Sequence, residues 1–129
     1  MATFSRHGCR FDPTTREDDH FSEHGFSQSP RMIQWFATLR CEMDCQHCLC
    51  LPRPAAQSME MTLAEADALF AQAAQMGVAE LLLSGGEPLL RDDFDEIVAA
   101  LAHHDLCWSI NTAIMPSTDQ KRAMRRHPP

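Results

Sequence analysis

No apolar run in this 129-residue chain approaches the ~20 residues that a bilayer-spanning helix requires, which predicts no membrane partner. Basic charge is also scarce. Eleven Lys and Arg stand against eighteen Asp and Glu, for a net charge of -7 and a pI near 5.4. That balance excludes a general nucleic-acid or anionic-membrane binder, which needs a net basic surface. The opening residues lack a secretory signal: Arg6 and Arg10 are followed by Asp12 and Asp18 rather than by a continuous apolar core. Hydrophobic periodicity is missing there too. Phe4, Phe11, Phe21 and Phe26 follow neither a helical nor a strand repeat, so residues 1–30 read as a mobile leader. These absences together predict a cytoplasmic protein. It has six cysteines, and in such a compartment the tight cluster among them points to metal or redox chemistry rather than disulfides.

What is present begins with Met32 to Leu39, an apolar and aromatic run with the length of a buried strand. A cysteine-rich loop follows directly, and Pro52 and Pro54 forbid a long continuous helix through it. Thr62 and Glu65 have the spacing of a capping box. After them, Leu63, Ala66, Leu69, Phe70, Ala73 and Met76 form one apolar stripe, and Gly77 stands where a helix C-terminus wants it. Val78 to Leu83 predicts a second buried strand that delivers the chain to Ser84, Gly85, Gly86, Glu87 and Pro88. Asp92 and Asp93 suit the positive end of a second helix, packed through Phe94, Ile97, Val98 and Leu101. Leu106 to Asn111 predicts a third strand. Ser117 and Gln120 would cap a third helix carrying Ala123 and Met124, with Lys121, Arg122, Arg125 and Arg126 on its solvated face.

Strand alternating with helix predicts an α/β fold: a parallel sheet joined by right-handed crossovers, with helices on one side or both. Both unusual loops follow strands, so both fall at the C-terminal edge of that sheet and face one site.

Cys41, Cys45 and Cys48 form CxxxCxxC. The number three is informative. A structural zinc site closes with four ligands and a ferredoxin-type cluster has a cysteine on every iron, whereas three thiolates leave one iron open for a cofactor or substrate. Two other readings compete. The same spacing places three small apolar side chains on one helical face, and zinc could be held by the three cysteines with His47 or Cys50.

With these residues, the chain resembles the radical S-adenosylmethionine (radical SAM) superfamily. The stretch from Gln34 to Cys48 is similar to members that mature peptides or build cofactors, often with a SPASM extension, and His47 takes the place of the aromatic before the last cysteine. Gly85, Gly86, Glu87 and Pro88 match the family's GGEP motif, in the family's order. The resemblance implies a [4Fe-4S] cluster on Cys41, Cys45 and Cys48, with S-adenosyl-L-methionine chelated to the fourth iron. It implies that Gly85 and Gly86 let backbone approach the methionine end while Glu87 accepts a hydrogen bond from its ammonium group. His47 either flanks the adenine or packs against the cluster loop. The implied reaction is reductive cleavage to a 5'-deoxyadenosyl radical, which abstracts hydrogen from a substrate in peptide or cofactor maturation, a peptide among the implied partners, with a flavodoxin or ferredoxin as electron donor.

The family core is a partial (β/α)6 barrel of TIM-like form. This chain supplies its first three βα units, so residues 31–129 read as the N-terminal half of a radical SAM core, truncated. A fragment of an enzyme, a zinc module and a non-catalytic remnant that binds a partner all remain open on the sequence.

Overall fold

The computed structural model describes residues 30–48 and 60–129. The expected leader and the loop prolines Pro52 and Pro54 lie outside them, as does Cys50.

Aromatic and β-branched residues favour a pleated, half-buried surface, and Met32–Thr38 forms strand β1. Helix α1 spans Leu63–Gln75 and opens with the expected capping box: the Thr62 hydroxyl accepts from the Glu65 N–H, and the Glu65 carboxylate accepts from the Thr62 N–H. Gly77 follows with φ +73°, a left-handed geometry that costs glycine little.

Strand β2 covers Glu80–Gly85, two residues later than the apolar run suggested. Val78 is occupied in closing the helix, its N–H donating to Ala73 O at 3.0 Å. At the other end Ser84 and Gly85 continue the ladder opposite Phe36 and Thr38, because strand pairing uses backbone and is indifferent to their small side chains. Helix α2 is Phe94–His103, strand β3 is Trp108–Ile110, and helix α3 is Thr118–Arg126, opened by the Ser117–Gln120 capping box. Strand β3 is shorter than Leu106 to Asn111 because Leu106 N–H is drawn back to Leu101 O at the end of α2.

The sheet is parallel throughout, in the order β1-β2-β3. Residues of one parity, Trp35, Ala37, Leu81, Leu83 and Trp108, are buried together with Phe70 of α1, Ile97, Val98 and Leu101 of α2 and Ala123 of α3. Helices therefore cover one face of the sheet. Each fully buried Leu, Ile or Phe contributes about 1.5–3 kcal/mol, and edge-to-face ring pairs add to that. Trp35 meets Phe70 at 5.5 Å and Phe94 meets Trp108 at 6.5 Å between centroids. The α1 stripe is buried at Ala66, Phe70 and Ala73, while Met76 at its end is 50 % exposed. The opposite sheet face carries Gln34, Phe36, Leu82, Ser84 and Ser109, with Gln34 donating to the Ser84 hydroxyl at 3.1 Å. No helix among the described residues is long and apolar enough to cross a membrane.

Candidate functional site

Parallel pairing sends the C-terminal ends of all three strands to one edge, and the two unusual loops meet there. Past Thr38, β1 passes through Leu39 and Arg40 into the cysteine loop. Cys41, Cys45 and Cys48 are thiols; Cys41 is half-buried and the other two are exposed. The loop has local order: Cys48 N–H donates to Cys45 O at 3.1 Å across a turn containing Gln46 and the exposed His47, and Met43 N–H reaches Cys41 Sγ at 3.4 Å. Among the described residues no three His, Cys, Asp or Glu side chains are gathered into a metal-ready group. Thiolates drawn together without an ion repel, and ligation is commonly coupled to ordering of the site. Three thiols on one short exposed loop fit an iron-sulfur cluster by donor chemistry and by access.

The GGEP segment lies against the stem of that loop. Gly86 N–H donates to Thr38 O and Glu87 N–H to Arg40 O, both at 2.7 Å. These bonds hold the two motifs together through backbone alone. They also explain both glycines. A Cβ on Gly85, whose φ is +123°, would stand 2.2 Å from Thr38 O, and one on Gly86 would stand 2.1 Å from Arg40 O. The absent side chains make room for the neighbouring strand end.

Glu87 is 1 % exposed, and its carboxylate is engaged within the chain. It accepts from Leu89 N–H at 3.1 Å, from the Thr112 hydroxyl at 2.7 Å and from Ala113 N–H at 2.9 Å. The first of these caps a single 3-10 turn, Pro88–Leu90, that the sequence did not announce. The other two fasten the exit of β2 to the exit of β3. Asn111 N–H pairs with Leu83 O at 2.9 Å, so residues 111 and 112 act as a strand-end closure.

A second cluster was missed from sequence. Arg91, 5 % exposed, donates to Ala37 O at 2.8 Å, to Met61 O at 2.9 Å and to both oxygens of Asp93 at 2.7 Å, with its guanidinium 5.6 Å from the centre of the Trp35 ring. Burial opposes its charge, but Asp93 and Glu60 more than offset this and hold Arg91 above its usual value. The hydrogen bond from Arg91 in turn keeps the Asp93 carboxyl below its usual range, against a smaller effect of burial. Glu60 accepts from the Thr38 hydroxyl and from Arg40 Nε, the latter at 2.9 Å. The available signal was an arginine immediately after the apolar Pro-Leu-Leu and before two aspartates, a setting in which an arginine is buried only if paired.

The chain matches the Radical SAM superfamily over residues 35–124 and belongs to that superfamily. Among curated proteins it is 38 % identical over 71 residues to the AdoMet-dependent heme synthase of Methanosarcina barkeri, a match covering 55 % of this chain and 20 % of that protein. It is 39 % identical over 62 residues to the pre-heme d1 synthase of Dinoroseobacter shibae, covering 48 % of this chain and 15 % of that protein. The fold matches Streptococcus suis SuiB with a TM-score of 0.70 at 18 % identity, over 83 % of this chain and 24 % of that one. SuiB structures bound to S-adenosylmethionine and to the precursor peptide SuiA each match with a TM-score of 0.71. The α/β architecture is thus the radical SAM fold in part, and the chain spans a fifth or less of the curated relatives it matches.

Proposed function

We propose that residues 31–129 are the N-terminal half of a radical SAM core whose Cys41, Cys45 and Cys48 hold a [4Fe-4S] cluster, with S-adenosyl-L-methionine bound beside it at residues 85–88. The observation that carries this reading is the pair of backbone hydrogen bonds, Gly86 to Thr38 and Glu87 to Arg40, which fixes the GGEP segment one residue from the first cysteine. When bound, the cluster supplies the electron that cleaves the sulfonium carbon–sulfur bond, giving methionine and a 5'-deoxyadenosyl radical for hydrogen abstraction.

The chain's own residues have distinct tasks. Cys41, Cys45 and Cys48 would hold three irons of the cluster and leave the fourth without a protein ligand, open to the amino and carboxylate groups of S-adenosyl-L-methionine. Gly85 and Gly86 present backbone to its methionine end, and Pro88 starts the turn that supports them. Glu87 fixes that loop from within, since its oxygens already serve Leu89, Thr112 and Ala113. His47, exposed in the cysteine turn, would either flank the adenine or pack against the cluster loop. A flavodoxin or ferredoxin in a reducing cytoplasm would supply the electron.

Cofactor maturation on a heme-type substrate is favoured over peptide maturation. The relatives sharing more than a third of their aligned residues are named for heme products, whereas the peptide-bound neighbour shares 18 %.

Anaerobic reconstitution with iron and sulfide tests the central claim. The expected product is a brown protein whose reduced-cluster EPR signal shifts when S-adenosylmethionine is added. Stoichiometric zinc with refusal of iron, or a cluster signal indifferent to S-adenosylmethionine, would overturn it.

A further inference from the structure

We propose that Arg91 is a positioning residue that closes the mouth of the cluster-binding loop. This rests on the reading of Cys41, Cys45 and Cys48 as cluster ligands. The chain leaves the sheet after Thr38 and is again described from Glu60, so the end of β1 with Leu39 and Arg40 on one side, and Glu60 and Met61 on the other, are the stems that bound the segment containing all three cysteines. Arg91 bonds to both, through Ala37 O on the outgoing stem and Met61 O on the returning one. Asp93 holds the guanidinium from behind with a two-bond fork. Glu60 adds a second tie, taking hydrogen bonds from Thr38 and Arg40 on the opposite stem.

The geometry suits arginine and no other cation. Its donors lie in one plane and point in fixed directions, which lets a single buried group satisfy two carbonyl oxygens and a carboxylate at once. A lysine at the same place is a point charge that could serve only some of them. Fixing both stems removes chain freedom before any ligand arrives, so less is lost when three cysteines are brought onto one cluster. Groups hydrogen-bonded to metal ligands are commonly worth about 10–100-fold in metal affinity, and Arg91, which acts on the loop stems rather than on a cysteine, is assigned the low end of that range.

The experiment uses the full chain, reconstituted anaerobically with ferrous iron and sulfide, as wild type, Arg91→Lys, Glu60→Gln and the surface control Arg122→Ala. Cluster lifetime is read as bleaching of visible absorbance under excess EDTA, and fold as the circular dichroism of the metal-free protein. Arg91→Lys is expected to keep the native dichroism, to lose its cluster about tenfold faster than wild type, and to broaden the reduced-cluster EPR signal. Arg122→Ala should match wild type. If Arg91→Lys does not fold, Glu60→Gln carries the same expectation with little change of volume. A wild type that takes up no iron overturns the function and this inference together. A wild type that holds its cluster while folded Arg91→Lys and Glu60→Gln hold theirs equally long overturns the positioning role alone.

Discussion

The Thr112 hydroxyl donates to Glu87 Oε1 at 2.7 Å, tying the loop after β3 to the loop after β2. Ala113 N–H and Leu89 N–H complete the set on the same carboxylate. Glu87→Ala therefore leaves three donors without an acceptor. Thr112 and Ala113 are exposed and can turn to water, but Leu89 is buried and cannot. The expected loss is about 2–3 kcal/mol, the range for a buried donor left unsatisfied and a charged acceptor removed. Thr112→Val should cost about 1 kcal/mol. Urea unfolding of both single variants and the double should show coupling between them. Additivity would mean that the bond contributes nothing.

The glycines separate two kinds of requirement. At Gly77 φ is +73° and the space around an added Cβ is open, so Gly77→Ala should cost only the left-handed backbone term, about 1 kcal/mol. Gly85→Ala meets both a φ of +123° and a backbone oxygen 2.2 Å away that no side-chain motion can relieve. A loss of about 3 kcal/mol or more follows, because strain and clash add. Gly86→Ala suffers the contact with Arg40 O and should push the stem of the cysteine loop outward, lowering iron uptake as well as stability. Thermal melts of the three variants should rank Gly77 well above the other two.

Asp93 should contribute to acid sensitivity. Its carboxyl is held below the usual range mainly by the hydrogen bond from Arg91. A carboxyl with a lowered folded-state value stabilises fully above its unfolded value, about 3.9 for aspartate, and the contribution fades as pH falls through the folded value. Wild type should thus lose stability on acidification through and below that range. Asp93→Asn cannot titrate and should be less stable at neutral pH with a shallower acid limb. Chemical denaturation at a series of pH values between neutrality and strong acid gives both slopes, and parallel slopes would remove Asp93 as the cause.

The elements could be read from sequence where their causes are local, and parallel topology put both motifs at one edge of the sheet. Both capping boxes, Thr62 with Glu65 and Ser117 with Gln120, involve partners three residues apart, and both form. The stripe of Phe94, Ile97, Val98 and Leu101 is buried as its spacing implies. Long-range partners were not legible. Asp93 looks like a charge for the helix N-terminus, but its carboxylate goes to Arg91 and makes no cap. Arg91 in turn binds the carbonyl oxygens of Ala37 and Met61, and since every residue has a carbonyl, no side-chain pattern could announce them. Glu87 finds its hydroxyl donor 25 residues away, at Thr112.

Each of Cys41, Cys45 and Cys48 should be indispensable to the cluster and of little weight in the folded apoprotein. Cys45 gives the clearest test because it is exposed and stands outside the buried core. Replacing an exposed side chain usually changes stability by no more than about 0.5 kcal/mol. Cys45→Ala should consequently melt with the wild type when metal-free. Under reconstitution it should retain at most a labile remnant on the two remaining cysteines, Cys41 and Cys48, with no response to S-adenosylmethionine. Zinc held with unchanged affinity by this variant would point to ligands other than the three-cysteine set. Iron bound at wild-type stoichiometry, with an unaltered EPR response to S-adenosylmethionine, would remove Cys45 from the cluster altogether.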